Sequence, residues 1–169
     1  VQLAQLVKTR QVTSTELTKM YLDRLHRYNP LLNCAVTITD DMGLAQAKQA
    51  DAEIAAGKYK GPLHGIPWGA KDIIAVKGYK TTWGSGAYKD QVIDKDASIV
   101  EMLREAGAVL VAKLASGEIA QGDRWFGGQE VASCPMQSDS IPTRCDPIRF
   151  GARERDRTPA PWTTGTRQP

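Results

Sequence analysis

Several features that would assign this chain to a membrane or a nucleic acid are missing from its sequence. No run approaches the ~18 consecutive apolar residues that a membrane-spanning helix needs, and the first residues lack the basic-then-apolar order of a signal peptide. Its 22 basic and 19 acidic residues form no block of like charge, so no phosphate-binding surface is indicated. We expect a cytoplasmic protein without membrane contacts or direct nucleic-acid binding.

Cysteine is scarce as well. Cys34, Cys134 and Cys145 are odd in number, widely spaced and form no C-x-x-C pair, so neither a disulfide framework nor a zinc site is supported. Neither a G-x-G-x-x-G nor a Walker motif is present. The chain begins with Val1 in place of methionine, and we interpret the sequence as a fragment of a longer protein.

What the sequence does contain is typical of a globular domain. Its 169 residues, 41% hydrophobic and 24% charged, suit one domain. The spacing Thr13 to Glu16 matches a capping box and predicts a helix that ends at Asn29-Pro30. A strand is predicted over 34–39, where β-branched residues alternate.

Two further helices are marked by their end signals. Asp40 or Asp41 is expected to cap an alanine-rich helix that ends near Gly57. Another is predicted between a cap at Asp96 or Ser98 and Gly107, with Ile99, Val100, Leu103 and Ala106 on its inner face. The continuously apolar run 108–112 then predicts a central strand. This alternation indicates an α/β fold with a mostly parallel or mixed sheet.

The composition changes at residue 130. All 11 lysines and all 12 leucines precede it, whereas residues 130–169 hold 6 of the 9 prolines and 6 of the 11 arginines. We therefore divide the chain into a folded part, 1–129, and a tail, 130–169. The tail has too little apolar surface to offset its ordering entropy, so an irregular or disordered segment is expected.

The stretch 61–74 is the most informative one. Glycines and prolines surround a short apolar run that predicts a strand ending at Lys71, followed by Asp72. Burial at the tip of a strand would lower the pKa of Lys71 and make it a base near neutral pH. The alternative interpretation is a solvated surface lysine paired with Asp72.

At these residues the sequence resembles the amidase-signature family. The resemblance rests on ordered blocks over about 120 residues. They are Gly61-Pro62-Leu63-His64-Gly65-Ile66-Pro67, Lys71-Asp72, Gly78, Thr81-Thr82-Trp83-Gly84-Ser85, Asp96-Ala97-Ser98-Ile99-Val100, Leu103-Arg104-Glu105-Ala106-Gly107-Ala108, Lys113, Gly117-Glu118-Ile119-Ala120 and Trp125-Phe126-Gly127-Gly128-Gln129.

The resemblance implies an α/β/α fold around a large mixed sheet and the hydrolysis or transfer of amides by a Ser–cis-Ser–Lys triad. Lys71 falls at the position of the catalytic lysine. That lysine takes a proton from the bridging serine, and backbone amides stabilise the oxyanion. A small-molecule amide substrate and no metal or organic cofactor are implied.

The sequence departs from this family where the serines are due. No serine- and glycine-rich segment follows Gln129, and Ser133, Ser138 and Ser140 lack flanking glycines. We hypothesise that residues 130–169 are an out-of-frame or truncated continuation and that the chain, an incomplete fold, is inactive as it stands. Two alternatives stay open: an A-type subunit of a tRNA-dependent amidotransferase, which works with partner subunits, or a non-catalytic remnant that serves as an interaction module.

Other residues of the motif receive structural interpretations. His64 is expected to anchor its loop through hydrogen bonds, since a lone histidine lacks partners for catalysis. Trp68 and Trp83 are expected in the core or in a pocket wall, and Thr81–Ser85 either lines a pocket or turns the chain.

Overall fold

The computed structural model describes residues 2–122 and 124–126, and its elements follow from the sequence pattern with corrections at their ends. The helices are α1 (Gln2–Lys8), α2 (Ser14–Leu32), α3 (Asp40–Ala55) and α4 (Ser98–Glu105), and the strands are β1 (Ala35–Ile38), β2 (Pro67–Lys71) and β3 (Val109–Leu114). Short 3-10 turns cover Gly86–Tyr88 and Glu118–Ala120.

Helix α2 starts as predicted but ends later. The hydroxyl of Thr13 accepts a hydrogen bond from the Glu16 amide at 3.1 Å, and the Glu16 carboxylate accepts one from the Thr13 amide at 2.9 Å. Pro30 lies inside the helix, so the predicted end at Asn29-Pro30 is wrong. A proline in the last turn removes only one backbone bond, and the helix ends at Asn33, a left-handed residue whose amide donates to the Asn29 carbonyl.

The predicted start of α3 is also corrected. Thr39, not Asp40 or Asp41, occupies the cap position, and both aspartates lie in the first turn. The Thr39 hydroxyl makes no capping bond because it donates to the carbonyl of Leu110 in β3 at 2.8 Å. Gly57 follows the helix with φ of 77°, which confirms the predicted end.

Helix α4 shows a similar difference. Ala97 holds its cap position without a side-chain bond, because the Asp96 carboxylate instead accepts from the Lys77 amide and from Arg104. Val100 is buried as predicted, but Ile99 is 45% exposed, so the predicted inner face is wrong at that residue.

The sheet is mixed, as the sequence predicts. Its order is β1-β3-β2, with β1 antiparallel and β2 parallel to the central β3. Strand β3 is buried along almost its whole length. A parallel neighbour requires a crossover connection, and the segment with α4 supplies it.

Both faces of the sheet are covered. One face packs under α2 and α3 through Leu22, Ala47, Val109 and Val111. The opposite face packs against α4 and the segment after β2, through the cluster of Ala70, Val76, Val100 and Leu110. The described part is therefore a three-layer α/β/α arrangement. Helix α1, which the sequence analysis missed, joins a third cluster through Val7.

The described helices include none that is long and apolar enough to cross a membrane. The predicted boundary at 129/130 and the predicted irregular tail lie outside the described residues. They stay predictions.

Gly107 closes α4 where no other residue fits. Its φ is 80°, and an added Cβ would lie 2.3 Å from Cδ2 of His64. Gly57 has a similar φ of 77°, but a Cβ added there would have no other atom within 4 Å. A substitution at Gly57 therefore adds only the strain of a left-handed backbone, whereas a substitution at Gly107 adds that strain and a collision with the buried His64 ring.

We predict that Gly107→Ala lowers the free energy of unfolding clearly more than Gly57→Ala does. The left-handed backbone costs about 1–2 kcal/mol in either variant, and displacement of His64 adds about 1–3 kcal/mol at Gly107. Urea denaturation of the two variants measures the difference. Equal losses would contradict the packing of His64 against this turn.

Candidate active site

The candidate site lies at one edge of the sheet. Because β2 and β3 run parallel, their carboxyl ends meet at the same edge, where Lys71 and Leu114 are register partners. The loops that begin at residues 72 and 115 leave the sheet there. In open α/β sheets, ligand sites commonly form at the carboxyl ends of strands.

Lys71 is the last residue of β2, as predicted, but its side chain is exposed. The expectation that it is buried is therefore wrong for the described residues. The reason is the alternation of a strand: Ala70 and Asp72 face the interior with no exposed surface, so Lys71 between them points outward. The alternative interpretation is right that Lys71 is a surface lysine, but its pairing with Asp72 is not observed, because Asp72 pairs with Lys113.

Asp72 is held by both its main chain and its carboxylate. Its amide donates to the Leu114 carbonyl at 2.8 Å, and its own carbonyl accepts from the Trp83 amide at 3.1 Å. Carboxylate oxygen Oδ2 accepts from the amide of Thr82 at 3.1 Å and from the Thr82 hydroxyl. The other oxygen, Oδ1, lies 3.3 Å from Nζ of Lys113.

Lys113 is the buried lysine of this edge, with no exposed side-chain surface. Its ammonium donates to the carbonyl of Ile74 and, at 3.0 Å, to the hydroxyl of Thr81. Burial lowers the pKa of Lys113, and the Asp72 carboxylate opposes that shift. Two hydrogen-bond acceptors and a carboxylate oxygen at 3.3 Å therefore surround Nζ, a set of partners that suits an ammonium group.

Sequence reasoning quoted Lys113 only as part of a motif and missed this ion pair. One pattern could have revealed it: a lysine directly after the apolar run 108–112, within a predicted central strand. Such a lysine has no route to solvent and needs a buried carboxylate partner. The register that makes Asp72 this partner becomes visible only in the folded sheet.

The two loops at this edge are joined by main-chain hydrogen bonds. The Ile119 amide donates to the Trp83 carbonyl at 2.7 Å, and the Phe126 amide donates to Gly84 at 2.9 Å. A Cβ at Gly84 would lie 2.2 Å from the Ser116 carbonyl oxygen, so only glycine allows the approach. Thr81–Ser85 therefore turns the chain and supplies polar contacts.

Three non-glycine residues of these loops have positive φ. They are Trp83, Ile119 and Ala120, with φ of 52°, 49° and 61°. Such backbone is costly and is found preferentially at functional sites. Nearby, the Ser85 hydroxyl donates to the Glu118 carboxylate at 2.8 Å. Trp83 is half-buried and packs edge-on against Tyr88, while Trp68 packs against the core cluster that includes Val100.

His64 is an anchor, as its sequence context predicts. The ring is 1% exposed, and Nδ1 accepts from the Lys60 amide at 3.1 Å. Nε2 lies 3.1 Å from the Glu53 carboxylate and therefore carries the proton. Burial lowers the pKa of His64, and Glu53 opposes it. Nδ1 is engaged by the Lys60 amide and Nε2 faces the Glu53 carboxylate, which are the contacts of a structural anchor.

Among residues 2–122 and 124–126, no three His, Cys, Asp or Glu side chains are grouped so that they could hold a metal ion. Cys34 is a free thiol. Ser133, Ser138 and Ser140, the serines considered for the triad, lie outside the described residues.

Comparison with known proteins identifies the family. The family model Amidase matches residues 16–124. The A-type subunit of glutamyl-tRNA(Gln) amidotransferase from Methylobacillus flagellatus is 41% identical over 121 residues, which are 72% of this chain and 24% of that protein. Its counterpart from an Azoarcus species is 45% identical over 121 residues, 72% of this chain and 25% of that protein.

A solved structure supports the same family. The peptide amidase from Stenotrophomonas maltophilia superposes with a TM-score of 0.70 at 32% identity, over 76% of this chain and 28% of that one. The chain belongs to the amidase family. It spans about a quarter of the length of the curated relatives that it matches.

We predict that Glu53→Gln reduces the acid sensitivity of the fold. The hydrogen bond from Lys60, then that from Gln49, lowers the pKa of Glu53 from 4.5 to about 2. A carboxyl with a depressed folded-state pKa contributes stability that is present above pH 4.5 and is lost as the pH falls to about 2.

The free energy of unfolding, measured by urea denaturation between those pH values, should therefore fall less steeply in Glu53→Gln than in the unmodified chain. Glu101→Gln, at an exposed position of α4, should keep the original slope. A slope for Glu53→Gln equal to that of the control would contradict the assigned role of Glu53.

Proposed function

We propose that this chain is the lysine-bearing part of an amide hydrolase of the Ser–cis-Ser–Lys type, with Lys71 as its base. One observation carries the proposal: Lys71 ends a strand at the carboxyl edge of the sheet and is followed by a buried aspartate that is hydrogen-bonded to Thr82 and ion-paired with Lys113. A proton acceptor on a fixed strand end meets the geometric requirement for general base catalysis.

The chemistry assigned to Lys71 follows from its amine. An uncharged amine takes the proton of a bridging serine, and that serine takes one from the nucleophilic serine. The nucleophile then attacks the amide carbonyl and an acyl-enzyme forms. Removal of water favours the uncharged amine, so this role requires a surface that covers Lys71, and the described residues do not supply one.

On this proposal the chain is inactive by itself. The motif that would carry the serines does not follow Gln129 in the sequence. The substrate is a small-molecule amide, and its acyl group is recognised by parts of the family fold that lie beyond the matched quarter. The proposed location is the cytoplasm.

A second candidate is favoured by the two relatives that belong to amidotransferases, at 41% and 45% identity. In that case the chain derives from a subunit that acts only with partner subunits. Affinity purification of the tagged chain from its native cells separates the two, because a B-type subunit is expected only for the amidotransferase lineage. The third interpretation, a non-catalytic remnant, predicts neither a partner of that type nor recoverable hydrolysis.

The role of Lys71 is tested in a chimaera in which residues 16–124 replace the matching segment of the Stenotrophomonas maltophilia peptide amidase. We expect hydrolysis of a peptide amide by the chimaera and a loss of about 10²–10⁴-fold in kcat/KM for Lys71→Ala, the range for a general base. Lys48→Ala, at an exposed position of α3, should change kcat/KM by no more than about twofold.

A chimaera that folds by circular dichroism and hydrolyses the amide equally well with Lys71→Ala would contradict the assignment of Lys71. A folded chimaera with no hydrolysis at all would favour the non-catalytic remnant.

We further predict that the chain itself does not react with a fluorophosphonate probe. A serine reacts with such a probe only when a base and an oxyanion site activate it. Mass spectrometry of the treated 169-residue chain should show no modified serine. Labelling at Ser133, Ser138 or Ser140 would show that the chain is active as it stands.

A further inference from the structure

We propose that the buried Asp72–Lys113 ion pair is a positioning device that fixes the strand end from which Lys71 projects. The inference deepens the proposed function and rests on it for the role of Lys71. Its geometric basis is independent of that role.

The contacts of Asp72 fix the chain immediately after Lys71. Main-chain bonds tie Asp72 to Leu114 on one side and to Trp83 on the other, and its carboxylate is shared between Thr82 and Lys113. Residue 72 therefore cannot rotate without breaking contacts to β3 and to the loop over 81–85. The direction of Lys71 is set by this neighbour.

The contacts of Lys113 extend the constraint to the second strand. Its side chain comes from β3, in register with Ala70, and reaches the Ile74 carbonyl and the Thr81 hydroxyl. One ammonium thus connects β3 with the residues that follow β2 and with the loop near Trp83. The pair holds three segments of the chain at the edge that carries Lys71.

Stability alone does not account for such a pair. Removing two charges from water costs free energy that their attraction often does not offset. Replacing both residues by apolar ones of similar volume is therefore often neutral or stabilising, whereas removing one partner strongly destabilises the fold. A gain in conformational specificity does account for it, because the contacts of Asp72 and Lys113 define one arrangement of the two strand ends. Global stability and local rigidity should therefore respond differently when both charges are removed.

The test compares the full 169-residue chain with Lys113→Met, with the double variant Asp72→Asn plus Lys113→Met, and with Thr82→Val. Lys77→Met, at an exposed lysine, is the matched control. Urea denaturation gives global stability. Amide hydrogen exchange at Asp72 and Trp83, and the backbone order parameter of Lys71, report on the strand end.

We expect Lys113→Met to lower the denaturation midpoint because it leaves the Asp72 charge buried and uncompensated. The double variant should regain most of that loss, yet its Asp72 and Trp83 amides should exchange at least about tenfold faster than in the unmodified chain. The order parameter of Lys71 should fall below the rigid value of about 0.85, with that of Lys48 unchanged. Lys77→Met should alter none of these quantities.

Recovery of the midpoint with unchanged exchange and an unchanged order parameter at Lys71 would overturn the proposal, since the pair would then only fill space. If the double variant shows no cooperative unfolding transition, the Thr82→Val variant tests the proposal instead. It removes a hydroxyl contact to Asp72 and should speed exchange at Trp83, and unchanged exchange there would overturn the proposal. None of these measurements needs turnover, so their outcome is separate from that of the chimaera.

Discussion

The contact between Asp72 and Lys113 is the interaction on which the rest of the candidate site depends. It joins the carboxyl ends of β2 and β3 inside the protein, where neither residue has any exposed surface. Water cannot replace either partner, so the segment with Ile74, Thr81 and Thr82, which contacts this pair, must fold around it. The strained residues Trp83 and Ile119 lie in the loops at this edge of the sheet, and Lys71 leaves the sheet beside them.

Two lysines of one edge thus have opposite environments. Lys113 is enclosed by oxygens that match its N–H groups, whereas Lys71 is exposed because the alternation of β2 turns it away from the core. The proposed function gives a chemical role to the exposed Lys71, whereas the contacts of the buried Lys113 indicate a structural role. A catalytic Lys71 requires a covering surface, in accord with a chain that spans about a quarter of the length of its curated relatives.

The sequence analysis predicted the order of elements from α2 to β3, the mixed sheet and the family, because capping boxes, helix-ending glycines and apolar runs are local patterns. It was wrong where contacts between residues far apart in the sequence determine the helix caps and the burial of a side chain. Asp40 and Asp96 did not cap their helices, since Thr39 and Ala97 hold those positions, and Lys71 was placed in the interior. Helix α1 was missed because its seven residues have no capping signal and owe their order to packing of Val7.

Acylation of the native chain with an amine-reactive ester, followed by peptide mass spectrometry, tests the opposite environments of the two lysines most directly. The structure predicts that Lys71 reacts at the rate of an exposed lysine such as Lys48, and that Lys113 stays unmodified until urea unfolds the chain. Modification of Lys113 in the native chain as fast as that of Lys71 would contradict the buried ion pair and the organisation of the site around it.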